Sequence, residues 1–152
     1  MKVFLAADHR GIEVKNALKS FLERRGLDVE DVGAFELNPA DDYVDYARIA
    51  SEKIAENTSE YRGIFVCGSG VGMDIVANKH KGLHAALVHD RHEAVQSREH
   101  GNTNVLVLGA DELSSQRAEE LVGLWMDTPF SGEERHVRRL NKISEIEKRN
   151  FK

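Results

Sequence analysis

The chain has 152 residues, enough for one domain with a buried core, and its 41% hydrophobic and 31% charged residues are typical of a globular rather than a disordered protein. Its formal net charge of −5 argues against a general binder of nucleic acid or of anionic membranes, since both need a net basic surface. No long apolar run, an apolar start too short for a signal peptide and a single Cys favour a cytoplasmic protein without a membrane or nucleic-acid partner.

Short apolar runs alternate with amphipathic segments along the chain. In the first half the pattern predicts a strand over 3–7, a helix over 10–25, a strand over 28–33, a loop over 34–42 and a helix over 43–57. In the second half it predicts a strand over 63–67, a turn over 68–72, a helix over 73–80, a strand over 85–88, a helix over 91–100, a strand over 105–109 and helices over 114–127 and 132–150. We therefore expect a single α/β domain over 1–152, a Rossmann-like three-layer α/β/α sandwich with a five-stranded parallel sheet and a C-terminal helix.

Ligands of such sheets bind at the carboxyl ends of the strands, so residues next to the strand ends are candidates for a site. These candidates are Asp8 and His9 after the first strand, Cys67 at the end of the third, His100 before the fifth, and Arg135 and Arg139 in the last helix. Plainer interpretations remain open for several of them. Asp8 fits a helix N-cap, His100 a surface loop, and the two arginines a solvated basic face instead of a fork for a phosphate.

Cys67 ends a buried strand and faces the start of a helix, where unpaired amides lower the pKa of a thiol. A lone Cys is usually structural, but this position favours a catalytic role. Gly68, Gly70 and Gly72 follow within five positions, more glycines than a strand-to-helix turn needs. Their exposed N–H groups suit a phosphate or a developing oxyanion.

Three known loop motifs do not fit this turn. A Walker A loop needs a Lys directly after its last Gly, but the first Lys here is Lys79. A dinucleotide fingerprint needs a further Gly where this chain has Met73 or Ile75. A Cys-dependent phosphatase loop would carry an Arg at the position of Met73. The turn therefore does not indicate nucleotide binding or phosphatase chemistry.

Five blocks of sequence, in this order, resemble the type B ribose-5-phosphate isomerases, a family that includes the galactose-6-phosphate isomerase subunits. The blocks are residues 7–11, 42–47, 67–72 with 77–79, 97–100 with 103–105, and 135–139. The resemblance covers almost the whole chain. It implies a cytoplasmic aldose–ketose isomerase of the pentose phosphate pathway that acts through a cis-enediolate, with no metal and no organic cofactor. It also implies a homodimer or tetramer with sites between subunits and the C-terminal helix packed on a partner.

The resemblance also implies a role for each matching residue. Cys67 would be the base that moves a proton between C2 and C1, and Ser69 would exchange protons on the sugar oxygens. Asp8 and His100 would assist ring opening. The other implied contacts are Tyr43 as pocket lining, the backbone of Gly68, Gly70, Val71 and Gly72 as the oxyanion cradle, and His9, Arg135 and Arg139 as phosphate ligands.

Several positions depart from the family pattern. Met73 replaces the Glu that some relatives use as the base, which leaves Cys67 in that role. Gly101 replaces an Asn, and Asp111 replaces an Arg that the resemblance assigns to the phosphate. These departures indicate either a different sugar phosphate or compensation by Arg91, Arg98 or Arg138. Two alternatives to ribose 5-phosphate isomerisation therefore stay open. One is an isomerase of allose or galactose 6-phosphate, and the other is a non-catalytic sugar-phosphate-binding protein on the same fold.

Overall fold

The computed structural model describes residues 1–151 and contains a fully parallel sheet of five strands in the order β2-β1-β3-β5-β4. The strands are β1 (Lys2–Ala7), β2 (Asp28–Asp31), β3 (Tyr61–Cys67), β4 (Ala85–Leu87) and β5 (Val105–Gly109). The helices are α1 (Ile12–Arg24), α2 (Tyr43–Ala55), α3 (Val71–Ala77), α4 (Arg91–Gly101), α5 (Ser115–Asp127) and α6 (Glu134–Asn150). The predicted three-layer α/β fold with a C-terminal helix is confirmed.

The sheet has a hydrophobic core on each face, because successive side chains of a strand point to opposite sides. On one face the strands pack against α1, α4 and α5, with Leu18 and Trp125 among the fully buried residues. On the other face they pack against α2 and α3, and Cys67 belongs to this second cluster with Phe65 and Met73. The thiol is therefore at the boundary between the core and the carboxyl edge of the sheet.

The structure differs from the expected elements most clearly after β3. Helix α3 begins at Val71 and not at residue 73, so Val71 and Gly72 lie in its first turn. Gly70 makes the sharp turn with a φ of 83°, and its carbonyl accepts the first helical hydrogen bond, from the Asp74 amide at 3.1 Å. A 3-10 turn over Ala110–Glu112, which the sequence pattern did not predict, follows β5.

Helix α6 leaves much of its apolar side exposed. Val137, Ile143 and Ile146 recur at helical spacing on one side of this helix and are all exposed in the single chain. The expected packing of this helix on a partner subunit stays a prediction. Across residues 1–151, no helix combines the length and apolarity needed to cross a membrane.

Candidate active site

The carboxyl ends of three neighbouring strands, β1, β3 and β5, meet at one edge of the sheet. Cys67 pairs with Gly109 in the register of β3 and β5. The amide of Asp111 donates to the carbonyl of Gly68 at 3.0 Å, which ties the turn after β5 to the turn after β3. Asp8 directly follows β1 and is 5% exposed. The fold thus places Asp8 and Cys67 on the same edge, as expected for this class of sheet.

The glycine turn is closely surrounded by other parts of this edge. A Cβ atom at Gly70 would lie 3.2 Å from the carbonyl carbon of Leu108, so a side chain has no room there. A Cβ atom at Gly72 would collide with the ring of Tyr43 and lie 2.8 Å from its phenol oxygen. Tyr43 therefore packs against the first turn of α3. Ser69 is exposed, and its hydroxyl oxygen accepts a hydrogen bond from the Val71 amide at 3.3 Å.

The Cys67 side chain is buried, with the residue 4% exposed. Burial raises the pKa of its thiol above the ordinary 9.0, because the thiolate is poorly solvated there. Hydrogen bonds from the amides of Met73 and Gly70 lower the pKa and oppose this effect, as does the charge of Arg10. The sequence-based expectation of a lowered pKa is therefore wrong in its net direction. The amides do face the sulfur, but burial outweighs them.

The raised pKa leads to a prediction about thiol reactivity. Only the thiolate reacts with iodoacetamide, so the alkylation rate of Cys67 should rise about tenfold per pH unit from neutrality and level off only above the ordinary pKa. The rate is measured by mass spectrometry of the intact protein at a series of pH values. Urea-unfolded protein is the control, and its plateau should come at lower pH. A plateau of the folded protein near neutral pH would contradict the direction of the shift.

His9 is held by Asp41, a residue of the predicted loop over 34–42. One carboxylate oxygen of Asp41 accepts a hydrogen bond from the His9 amide at 3.2 Å and lies 2.7 Å from its Nδ1. The Asp41 side chain is 5% exposed. With Nδ1 bound in this way, Nε2 is the ring nitrogen left for a ligand. The sequence offers only the Asp41–Asp42 pair as a signal for this contact, and such a pair is also typical of surface turns.

Asp8, His9 and Asp41 also form the cluster best suited to a metal ion within residues 1–151. Ligand atoms from the three side chains lie within 4.8 Å of one another. Two carboxylates and an imidazole suit a divalent cation. The contact between Asp41 and His9 already uses one oxygen and one nitrogen of this set. That the enzyme needs no metal and no organic cofactor stays a prediction.

Arg10 is a further charged group at this edge, and the family resemblance implies no role for it. Its guanidinium forms an ion pair with Asp111 and covers the backbone of Gly68, where an added Cβ would collide with it. The three arginines proposed to compensate for Asp111 are bound elsewhere. Arg91 pairs with Glu120, the buried Arg98 donates to the Thr128 carbonyl, and Arg138 pairs with Glu134 of its own helix.

The remaining predicted residues lie away from Cys67 within one chain. Helix α4 starts beside the carboxyl end of β4 and returns toward the amino end of β5, so His100, in its last turn, lies toward the opposite edge. There the His100 ring stacks on His136 at 4.1 Å between centroids. Arg135 and Arg139 flank His136 on α6 and are exposed. The structure thus forms two groups of site residues, one at each edge of the sheet.

Comparison with known proteins identifies the chain as a member of an enzyme family. The model of the Ribose/Galactose Isomerase family matches residues 3–143, so the chain belongs to this family. A putative sugar phosphate isomerase of Bacillus subtilis is 39% identical over 151 residues, covering 99% of this chain and 100% of that protein. A D-erythrulose-4-phosphate isomerase of Pectobacterium atrosepticum is 35% identical, covering 87% of this chain and 86% of that protein.

A solved structure of the same family is also similar over nearly the whole chain. It is the ribose-5-phosphate isomerase B of Mycoplasma genitalium, crystallised with bound ribulose 5-phosphate. It matches this chain with a TM-score of 0.94 and 35% identity, covering 97% of this chain and 96% of that one. The family predicted from the five sequence blocks is therefore confirmed.

Proposed function

We propose that the enzyme interconverts ribose 5-phosphate and ribulose 5-phosphate through a cis-enediolate, with Cys67 as the base that moves the proton. The observation that carries the proposal is the buried thiol at the carboxyl edge beside Asp8, in a fold that matches an isomerase structure with bound ribulose 5-phosphate. A proton next to a carbonyl is weakly acidic, so the reaction needs a strong base and a stabilised oxyanion.

The surroundings of Cys67 suit both needs. Since burial raises its pKa, the thiolate is a stronger base once it forms, and it can return the proton to the neighbouring carbon. The amides of the 68–72 segment are the groups that we assign to the enediolate oxygens. The exposed hydroxyl of Ser69 is free to exchange protons with the sugar oxygens. We assign Asp8 to proton transfer during ring opening and Tyr43 to the lining of the pocket.

We further infer that two copies of the chain share each site, in a homodimer or tetramer. His9 lies at the carboxyl edge, whereas His100, Arg135 and Arg139 lie in the other group of site residues. One substrate can touch both groups only if the second comes from a partner subunit. The exposed apolar side of α6 offers a surface for that contact. We place the protein in the cytoplasm, where its single thiol stays reduced.

A panel of sugar phosphates tests the substrate. We expect the highest kcat/KM with ribose 5-phosphate, compared with allose 6-phosphate, galactose 6-phosphate and D-erythrulose 4-phosphate. The last is included because a relative is named for it. The hexose phosphates need a longer pocket, for which the small Gly101 would make room. Turnover of another sugar phosphate without turnover of ribose 5-phosphate would contradict the proposed substrate. Binding of these sugar phosphates without any turnover would favour the non-catalytic alternative.

A further inference from the structure

We propose that Arg10, held in place by Asp111, binds the phosphate of the substrate and replaces the family's arginine after β5. This inference rests on the proposed function, because a sugar phosphate is the ligand that such an arginine would serve. It concerns two charged residues that meet at the carboxyl edge, Arg10 of the turn after β1 and Asp111 of the turn after β5. The position after β5 to which the resemblance assigns an arginine is Asp111 here, and the guanidinium of Arg10 pairs with it.

The position of Arg10 follows from contacts with three adjacent strand ends. Its amide donates to the Asp8 carboxylate at 3.0 Å, which fixes the turn after β1. Its side chain then crosses the end of β3, where the guanidinium covers Gly68. It ends at β5, in the ion pair with Asp111. A side chain at position 68 would displace the guanidinium, so Gly68 allows Arg10 to lie there.

The charge balance of this edge also calls for Arg10. Asp8, Asp41 and Asp111 place three carboxylates near the end of the central strands. A phosphate dianion would be repelled by them unless cations are present. Arg10 directly follows His9, which the family resemblance assigns to the phosphate, so both side chains extend from the same turn. Asp111 therefore orients the cation, and we do not assign it a contact with the substrate.

The Arg10 guanidinium remains available to a ligand. Its side chain is 51% exposed, and the ion pair with Asp111 uses one terminal nitrogen, Nη2. A guanidinium carries five N–H donors in a fixed plane, so the others can bind phosphate oxygens while Asp111 keeps its orientation. Holding the side chain before the substrate arrives reduces the entropy lost on binding.

The first test is the substitution Arg10→Gln, which removes the charge and keeps most of the length. We expect KM for ribose 5-phosphate to rise roughly 10- to 100-fold with kcat changed less than about threefold, as for a lost hydrogen bond to a charged group. Arg48→Gln is the matched control, because Arg48 is an exposed arginine paired with Glu52 on α2. An unchanged KM in Arg10→Gln would overturn the proposal.

Inorganic phosphate gives a readout that does not depend on turnover. Millimolar phosphate should raise the Tm of the wild-type protein and of Arg48→Gln, and this rise should be lost in Arg10→Gln. If no sugar phosphate is isomerised but the rise still depends on Arg10, the proposed function fails and the phosphate site stands. If turnover is normal and the rise is the same in all three proteins, the phosphate site fails alone.

The double variant Arg10→Gln with Asp111→Arg tests whether the two positions share one place. An arginine at 111, held next to Gly68 by the backbone, should bring the guanidinium back from the opposite side. We expect KM of the double variant to be at least about tenfold lower than that of Arg10→Gln. If the double variant has the Tm of wild type but keeps the high KM of Arg10→Gln, positions 10 and 111 do not serve the same phosphate site, and that part of the proposal is overturned. The proposal is also overturned if Arg10→Gln shifts the pH dependence of Cys67 alkylation but leaves KM unchanged. Arg10 would then act on the pKa of the thiol and not on the phosphate.

Discussion

Replacing Cys67 with Ala is expected to lower kcat for ribose 5-phosphate by about 10³-fold, the middle of the range for removal of a general base. The proton next to the carbonyl then has no partner of suitable basicity. The nearby hydroxyl of Ser69 cannot replace the thiolate, since a hydroxyl is far less acidic than a thiol and does not ionise near neutral pH. Coupled turnover assays on ribose 5-phosphate measure the loss.

Folding and binding should survive this substitution. Alanine removes one sulfur atom from the second core cluster and leaves Phe65 and Met73 in place. We therefore expect a Tm close to that of wild type and an unchanged rise of Tm with ribose 5-phosphate. Cys67→Ser, which keeps a polar hydrogen at the same position, should be nearly as inactive. A Cys67→Ala protein that retains more than a tenth of the wild-type kcat would exclude the thiol as the base.

The part of the site that the sequence predicted well is the part set by strand order. Asp8 and Cys67 were placed on one edge because parallel strands end together, and this follows from the alternation of strands and helices. The buried stripe of α5 was also predictable, since Leu121, Val122 and Trp125 recur at helical spacing and are all buried.

The parts that were missed depend on long-range contacts between charged groups. Arg10 and Asp111 are 101 positions apart, and each alone is an ordinary surface residue by type. Asp41 reaches His9 across 32 positions, from a segment whose composition indicates only a loop. The pKa of Cys67 was misjudged for a similar reason. A helix start can be recognised in the sequence, but the depth of burial around one sulfur cannot.

Lys15 is a charged residue in the core whose burial the sequence pattern did not predict. It lies in α1 and is fully buried, although lysines are almost never buried without a partner. Its ammonium is 2.8 Å from both carboxylate oxygens of Asp31 and donates to the Ala34 carbonyl at 2.6 Å. The amide of Ala34 in turn donates a hydrogen bond to the carbonyl of Ala7 at the end of β1. The buried ion pair therefore supports the strand end that carries Asp8.

Replacing Asp31 with Ala should lower the free energy of unfolding by about 3–5 kcal/mol, the usual cost of leaving one charge of a buried pair without its partner. The Lys15 side chain is 1% exposed and that of Asp31 12%, so water cannot substitute for the lost carboxylate. Urea unfolding followed by circular dichroism, at one fixed protein concentration, measures the change.

Two further variants separate the cost of an unpaired charge from a general loss of packing. Lys15→Met combined with Asp31→Leu removes both charges and keeps apolar volume, so it should recover most of the stability lost in Asp31→Ala. Glu52→Ala, which breaks the exposed pair with Arg48, should cost less than about 1 kcal/mol. A double variant as unstable as Asp31→Ala would show that the fold needs the pair itself. A loss in Asp31→Ala no larger than in Glu52→Ala would mean that the ammonium finds other acceptors. The support of the β1 end would then come from the backbone hydrogen bonds between Ala7 and residues Gly33 and Ala34.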